Sequence, residues 1–383
     1  MKALKVRIYP NKEQADFLNQ QFGSIRLVYN KALYVISTKY KRYGISLNAK
    51  KDIKKLLPIA KKSRKYGWLS AYDSLSLQQS CINLDKAFTS FFKKQSKYPR
   101  YKSKHGKQSS YHCGNVSCGD NWVSIPKLKT KIKAKIHRNI ANDISSITIT
   151  KTSTGKYYAS MCLKQDDIET TKITQFNENN VVGLDMGLTH LIIKSDGDKV
   201  DNPRLLKQAT KNLKIKQKKL SRKLKGSKSR NKARLLIAKA HERLSNCRAD
   251  FQHKQSKAII DENQAVIVET LKVKNMLKNK KLSKHISDAS WYSFIQKLSY
   301  KAQEQGKHLI KIDQWYPSSK TCSECGYIVE KMPLQTRNWN CPECQASLDR
   351  DINASINIKN KGIEFLKAEG MSVSAVGGLC KSA

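Results

Sequence analysis

The chain has 383 residues, and 74 Lys and Arg against 30 Asp and Glu leave a formal net charge of +44. That length supports two or three domains with packed cores, whereas a compact fold with so much like charge repels itself unless a polyanion relieves it. Nucleic acid is the polyanion that fits, through its dense phosphates and releasable counterions, with a ribosome-type scaffold or a membrane-surface protein as the plainer rivals. No run of 18 apolar residues is present, so no transmembrane helix is expected. The opening MKALKVRIYPNKEQ lacks the apolar centre of a signal peptide. The ten cysteines are therefore read for a reducing cytosol, as metal ligands before disulfides.

In chain order, residues 1–10 alternate Leu4, Val6 and Ile8 with Lys and Arg, the pattern of a half-buried strand. Leu18, Phe22, Ile25, Tyr29, Ala32 and Ile36 then step by four and three, the stripe of an amphipathic helix. A second helix is expected from about Ser74 to Phe92, with Leu77, Cys81, Leu84, Phe88 and Phe91 on its apolar side. Between 96 and 175 the segments are short and strand-like: Trp122–Ile125, Lys131–Ile136, and a hairpin of Ile147–Thr150 with Lys156–Leu163 about the turn Ser153-Thr154-Gly155. A small β-barrel that takes in the N-terminal strand, with the helices as an insertion, accounts for this order.

From residue 180 the pattern becomes α/β. Strands are expected at 181–184, 191–193, 265–268 and 308–313, the third apolar throughout as a buried parallel strand requires. Residues 201–250 hold 17 Lys and Arg and three acids, a net of +14 broken near Gly226-Ser227, with Leu235, Leu236 and Ala240 expected to pack. A helix near 291–305, two cysteine pairs, a helix from about 350 to 367 and a mobile tail complete the chain. The class is thus multidomain, α+β followed by α/β.

Two constellations carry chemistry. Cys322-x2-Cys325 and Cys341-x2-Cys344, 15 residues apart, supply four thiolates for a closed tetrahedral shell, which suits structural Zn2+. Asp185 and Glu269 each close a buried apolar run, and Asp351 stands at the start of a helix. Acids at the carboxyl ends of such strands face the crevice where α/β proteins bind ligands. Three of them together need cations, and hard, oxygen-seeking Mg2+ or Mn2+ fit; two such ions can activate a water and stabilise the leaving oxygen of a phosphodiester. Each acid also has a plainer reading, as a turn residue or a partner of a helix dipole. Asp196, Asp198, Asp261 and Asp288 lie in polar contexts and are weaker candidates. For nucleic-acid contacts the candidates are Arg222, Lys223, Arg230 and Arg234 in the basic helices, Tyr98 and Arg100 where aromatics alternate with cations, and the amides Gln78, Gln79 and Asn83.

The segments VVGLDMGLTHLIIKS (181–195), AVIVETLKVKNM (265–276), WYPSSKTCSECG (315–326) and NCPECQASLDRDINASINI (340–358) together resemble the TnpB (OrfB) family of transposon-encoded proteins, relatives of compact type V CRISPR effectors. Residues 285–299 and 75–92 resemble it too. The resemblance implies a wedge β-barrel (1–10 and 96–175) with a helical recognition insertion (11–95). After these it implies a ribonuclease H-like RuvC nuclease domain (176–314 and 350–367, with basic helices at 204–260). A zinc ribbon (315–349) interrupts the nuclease domain, and a tail follows at 368–383. It matches Asp185, Glu269 and Asp351 to the three RuvC acids and the four cysteines to the ribbon. It implies a guide RNA, double-stranded DNA cut beside a short motif, and a monomer with its RNA in the bacterial cytosol near the nucleoid. Alternatives are a nuclease-inactive RNA-guided regulator and a transposase acting without RNA. Before Asp349-Arg350-Asp351 the chain reads Gln345-Ala346-Ser347-Leu348, where the family often has Gly-Thr/Ala-x-His.

Overall fold

The computed structural model describes residues 2–104, 109–138, 140, 144–164, 174–333 and 335–373. They divide into two compact units, Met1–Ile168 and Glu169–Ala383.

In the first unit, β1 (Lys2–Tyr9) buries Leu4, Val6 and Ile8. Asn11 and Gln14 then form a reciprocal capping box that starts α1 (Lys12–Tyr43), and Gly44, left-handed at φ +66°, ends it. The six stripe residues of α1 are all buried. A π-helical turn at Ala49–Ile53 leads to α2 (Leu56–Lys62), where Pro58 sits in the first turn and costs no helical hydrogen bond. Asp73 caps α3 (Ser74–Phe92) by accepting from the Leu75 and Ser76 amides. The strands follow: β2 (Ser109–Cys113), β3 (Ser117–Gly119), β4 (Trp122–Ser124), β5 (Ile132–Lys135), β6 (Ile144–Lys151) and β7 (Tyr157–Leu163).

These strands form one sheet in the order β2-β6-β7-β1-β5-β4-β3, with antiparallel pairing and the N-terminal strand near its middle. Laid flat, seven strands would span about 29 Å. Yet β2 and β3, at opposite ends of that order, are joined through only three residues, Gly114 to Val116. Four Cα steps reach at most about 15 Å, so the sheet curls strongly. The helices do not form a separate core. Leu18, Phe22, Leu77 and Leu84 belong to the same buried cluster as Ile132, Ile147 and Met161.

The second unit opens with β8 (Gln175–Phe176), β9 (Val181–Asp185), β10 (His190–Lys194) and β11 (Lys199–Asp201). A long helical hairpin follows, α4 (Leu205–Ser221) and α5 (Lys228–Glu262). Next come β12 (Ala265–Glu269), α6 (Val273–Met276), α7 (Ser283–Ala289), α8 (Trp291–Glu304) and β13 (His308–Ile312). After the cysteines come β14 (Asn338–Asn340), β15 (Ser347–Asp349), α9 (Arg350–Ala368) and β16 (Ser372–Val373). The sheet order is β11-β10-β9-β12-β13; β9, β12 and β13 are parallel, and β10 and β11 are antiparallel additions.

Helices cover both faces of this sheet. Leu184, Val266 and Val268 pack with Ile259, Phe294 and Leu298 of α5 and α8. Val181, Ala265 and Ile267, one step out of phase, pack with Ile358, Ile363 and Leu366 of α9. Two glycines set how closely α9 lies. A Cβ on Gly183 would stand 2.1 Å from the Ser355 carbonyl oxygen, and one on Gly362 would stand 2.5 Å from the Ile267 side chain.

Two expectations need correction. Leu235 and Leu236 do not pack; both are exposed, and the half-buried positions of that stretch are Ala233, Ile237, Ala238 and Ala240. Adjacent helix positions point about 100° apart, and the side of α5 that is covered in this stretch is the one that carries Ala233, Ile237 and Ala240. The expected tail is also not loose throughout, because Ser372 and Val373 pair in parallel with Gln175 and Phe176; residues 374–383 lie outside the described residues.

The α9 contact generates a prediction. Gly183→Ala forces a methyl group into backbone atoms, so it should destabilise the protein by about 3 kcal/mol or more. Denaturant unfolding of the variant against wild type measures this; a loss under about 0.5 kcal/mol would contradict the close approach.

Candidate active site and cysteine cluster

Asp185 and Glu269 are the last residues of adjacent parallel strands, one step beyond the Leu184–Val268 pair. Strands in such a ladder lie about 4.8 Å apart and side chains two residues apart share a face. Asp185 and Glu269 therefore lie on the face of Gly183 and Ile267, which is the face that α9 covers. Asp351 stands in the first turn of α9, four residues before the Ser355 that touches Gly183. One helical turn thus carries Asp351 to the carboxyl ends of β9 and β12.

Each acid has a different set of partners. Glu269 Oε1 accepts from Ser318 Oγ at 2.5 Å. Asp351, with 22% of its side chain exposed, takes Arg337 Nη1 at 3.2 and 3.1 Å on its two oxygens. Its own amide donates to Asp349, the cap of α9, and Asp349 also pairs with Lys199 at 2.6 Å. Burial, followed by the charges of Glu269 and Asp351, pushes the Asp185 carboxyl up to about 7, against weaker help from the Met186 amide and Arg350. Among the described residues the three carboxylates are not drawn within 4.8 Å of one another, as the four thiols are. Ser318 and Arg337 hold two of them, and the cations nearby offset only part of the repulsion that Asp185 feels. Hard oxygen donors carrying excess negative charge are the donor set that Mg2+ or Mn2+ takes.

The cysteines form a second site. The Sγ atoms of Cys322 and Cys344 are 3.6 Å apart and those of Cys325 and Cys341 are 3.5 Å apart. A bond between two sulfurs is about 2.05 Å long, so these are not disulfides, whereas zinc bonds of about 2.3 Å place tetrahedral sulfurs about 3.8 Å apart. Two similar turns bring them together: the Gly326 amide donates to the Cys322 carbonyl at 3.0 Å and the Gln345 amide to that of Cys341 at 2.9 Å. Gly326 and Gln345 both take positive φ, +80° and +58°. The thiol set fits zinc.

The two sites share their supports. Asn353 and Asn357, buried one turn apart on α9, both donate to the Thr321 carbonyl, at 2.7 and 2.6 Å. Asn357 also reaches the Ser318 carbonyl at 2.8 Å, and Asn353 accepts from the Ser323 amide at 2.9 Å. Ser318, Arg337, Asn353 and Asn357 were missed in the sequence. Two Asn at i, i+4 on a helix side that also carries Ala354 and Ile358 are a readable sign of a buried polar clamp; Ser318 and Arg337 carry no such sign.

Other candidates have other surroundings. Asp288 caps α4 through the Leu206 amide and pairs with Arg248 at 2.7 Å. Asp196 and Asp198 surround Lys194, and Asp261 binds Lys257 and Gln305. Arg230 donates to the Leu220 and Lys223 carbonyls and so closes the α4–α5 turn, while Arg222, Lys223 and Arg234 are exposed. In the first unit, Gln79 donates to Asn83 at 3.2 Å beside half-buried Gln78. Tyr98 lies edge-on to Phe88 and Phe91 with its hydroxyl on Ser37, and Arg100 is exposed.

Comparison with known proteins places this geometry. Residues 160–280 match the OrfB family model described as "Probable transposase", residues 291–358 the Cas12f1-like TNB domain, and residues 1–44 a helix-turn-helix domain. A Streptomyces pristinaespiralis protein named as an RNA-guided DNA endonuclease is 37% identical over 367 residues, spanning 94% of this chain and 89% of its own. The chain belongs to the TnpB (OrfB) family. InsQ of Escherichia coli strain K12, also named as an RNA-guided DNA endonuclease, is 26% identical over 94% of this chain and 92% of its own. The Cas12f1 chain solved with sgRNA and target DNA shares the fold, with a TM-score of 0.56, 13% identity, and coverage of 92% of this chain and 84% of that one. In this TnpB-family protein, residues 1–44 are not two short helices about a turn, but a strand and one 32-residue helix.

Two predictions follow from the sites. Metal analysis should return about one zinc per chain, and Cys322→Ser should lose it; a variant that keeps full zinc would overturn the ligand set. The folded Asp185 carboxyl holds its proton up to about 7 against an ordinary 3.8, so the stability it removes grows as pH rises between those values and is complete above 7. In EDTA, Asp185→Asn should raise the thermal midpoint near pH 8, by roughly 2–4 °C for each kcal/mol recovered, and the gain should shrink towards pH 4. Melting curves at both pH values check this.

Proposed function

We propose that the protein is an RNA-guided DNA endonuclease that hydrolyses double-stranded DNA beside a short transposon-associated motif, using Asp185, Glu269 and Asp351. The observation that carries this is the convergence of three acids, far apart in sequence, at the carboxyl ends of β9 and β12, in a chain of net charge +44. Membership of a family whose relatives are named as RNA-guided DNA endonucleases supplies the guide and the target.

In this reading the strand order β11-β10-β9-β12-β13 is a ribonuclease H-like, RuvC-type core. The curled sheet of the first unit is the wedge barrel, with α1 to α3 as its recognition insertion, and the segment 315–349 is the zinc ribbon. The three carboxylates would hold Mg2+ or Mn2+, which would supply water activation and stabilisation of the departing oxygen. The chain's own residues prepare that site. Ser318 fixes the rotamer of Glu269, Asp349 fixes the backbone of Asp351, and Arg337 shares the charge of Asp351 until a cation takes it. The raised proton affinity of Asp185 marks the charge that a cation relieves. Guide and target strands are selected by base pairing, while exposed Arg222, Lys223 and Arg234 offer sequence-independent phosphate contacts. Among the described residues no helix is long and apolar enough to cross a membrane.

The test is plasmid cleavage with the RNA that copurifies with the protein, whose sequencing should return one abundant species with a variable 3′ segment. A plasmid carrying the matching target should be cut in Mg2+ and spared in EDTA. Asp185→Ala should abolish cutting while RNA binding stays near wild type; full cleavage by that variant would remove the assignment.

A further inference from the structure

We propose that Trp315 is a stacking platform for an unpaired nucleobase of the strand held at the Asp185, Glu269 and Asp351 site. This inference rests on the nuclease reading above and adds a substrate contact to it. Trp315 is 81% exposed, the most of the five tryptophans; Trp68 is 48% exposed, Trp122 and Trp339 are half-buried and Trp291 is buried. An indole carries one of the largest apolar surfaces of any side chain and is seldom left bare to water.

The backbone beneath this indole is tied down. β13 ends at Ile312, in register with Glu269. The next residue, Asp313, accepts from the Trp315 amide at 2.7 Å through its carboxylate. Two residues further on, Pro317 restricts the chain, and the Ser318 amide donates to the Tyr316 carbonyl at 2.8 Å. Ser318 is the buried residue whose hydroxyl binds Glu269, and its own carbonyl is held by Asn357. Trp315 therefore stands on a short built turn between two anchors, both at the carboxyl end of the strands that carry the acids.

Reach and chemistry agree. Three Cα steps lead from Trp315 to Ser318, at most about 11 Å, a distance that a nucleic-acid strand covers in a few nucleotides at roughly 3.4 Å each along the duplex axis. A base–aromatic stack tolerates any sequence, because every base has a π-face. That suits an enzyme whose sequence choice is made by pairing elsewhere. A paired base already has neighbours on both faces, so the base taken is one in a single-stranded stretch.

The experiment uses the full chain with its copurified RNA and has two readouts. In the first, cleavage is measured against target DNA concentration in Mg2+. Trp315→Ala should raise the concentration for half-maximal cutting roughly 5- to 150-fold, with a maximal rate close to wild type, and Trp315→Phe should restore it to within about threefold. In the second, a short single-stranded DNA is added in EDTA and tryptophan emission is followed. Wild type should be quenched, and the Trp315→Phe protein should lack that component. Unchanged concentration dependence in the Ala variant, equal impairment of Ala and Phe, or identical quenching in wild type and Phe variant would each overturn the proposal. Asp185→Ala run beside them separates the two readings. If it cuts DNA, the nuclease assignment falls, while the quenching measurement, which needs no cutting, still decides the stack.

Discussion

The contact on which the second unit depends is a helix lying against bare backbone. At Gly183 nothing but a hydrogen atom separates β9 from the Ser355 carbonyl of α9, and at Gly362 the roles are reversed, with the helix glycine receiving the Ile267 side chain. Two small residues on two different elements fix both the distance and the slide of α9 along the sheet. A change in that slide by one turn, about 5.4 Å, would carry Asp351 away from Asp185 and Glu269. The chemistry of the acids is therefore set by packing some residues away from them.

The cysteine segment adds a second constraint on the same helix. Asn353 and Asn357 place their amides on the chain that enters the first cysteine pair, while Arg337, from between the two cysteine turns, reaches Asp351. Buried amides left without partners would cost more than they contribute when paired, so the clamp and the cysteine fold support each other. The segment from 315 to 349 consequently supplies Ser318 to one acid and Arg337 to another.

Much of this was legible in the sequence where period and residue type agree. The alternating opening strand, the stripes of α1 and α3, the continuous apolar runs before Asp185 and Glu269 and the paired cysteines each report local physics, and each emerged as an element with nearly the expected bounds. The polar contacts did not. Ser318 meets Glu269 across 49 positions and Arg337 meets Asp351 across 14, and no local pattern encodes a partner on another element. The misreading of Leu235 and Leu236 has a related cause: in a helix so basic, a pair of leucines looks like a seam, yet the covered side of α5 there carries Ala233, Ile237 and Ala240. Arg230 shows the same limit: nothing local to it reveals that its Nη1 donates to two carbonyls of the turn.

The order in which the acids occur has a consequence for synthesis. Asp185 is made near the middle of synthesis and Glu269 after it, while Asp351 follows Asp185 by 166 positions and is set in place by a helix running to Ala368. Chains fold progressively from the N-terminal side as they emerge, so for most of translation the proposed hydrolytic centre lacks one of its three carboxylates and the helix that aligns it. A truncated product from an interrupted message would still be strongly cationic and able to cling to nucleic acid, yet it would be unable to cut what it holds.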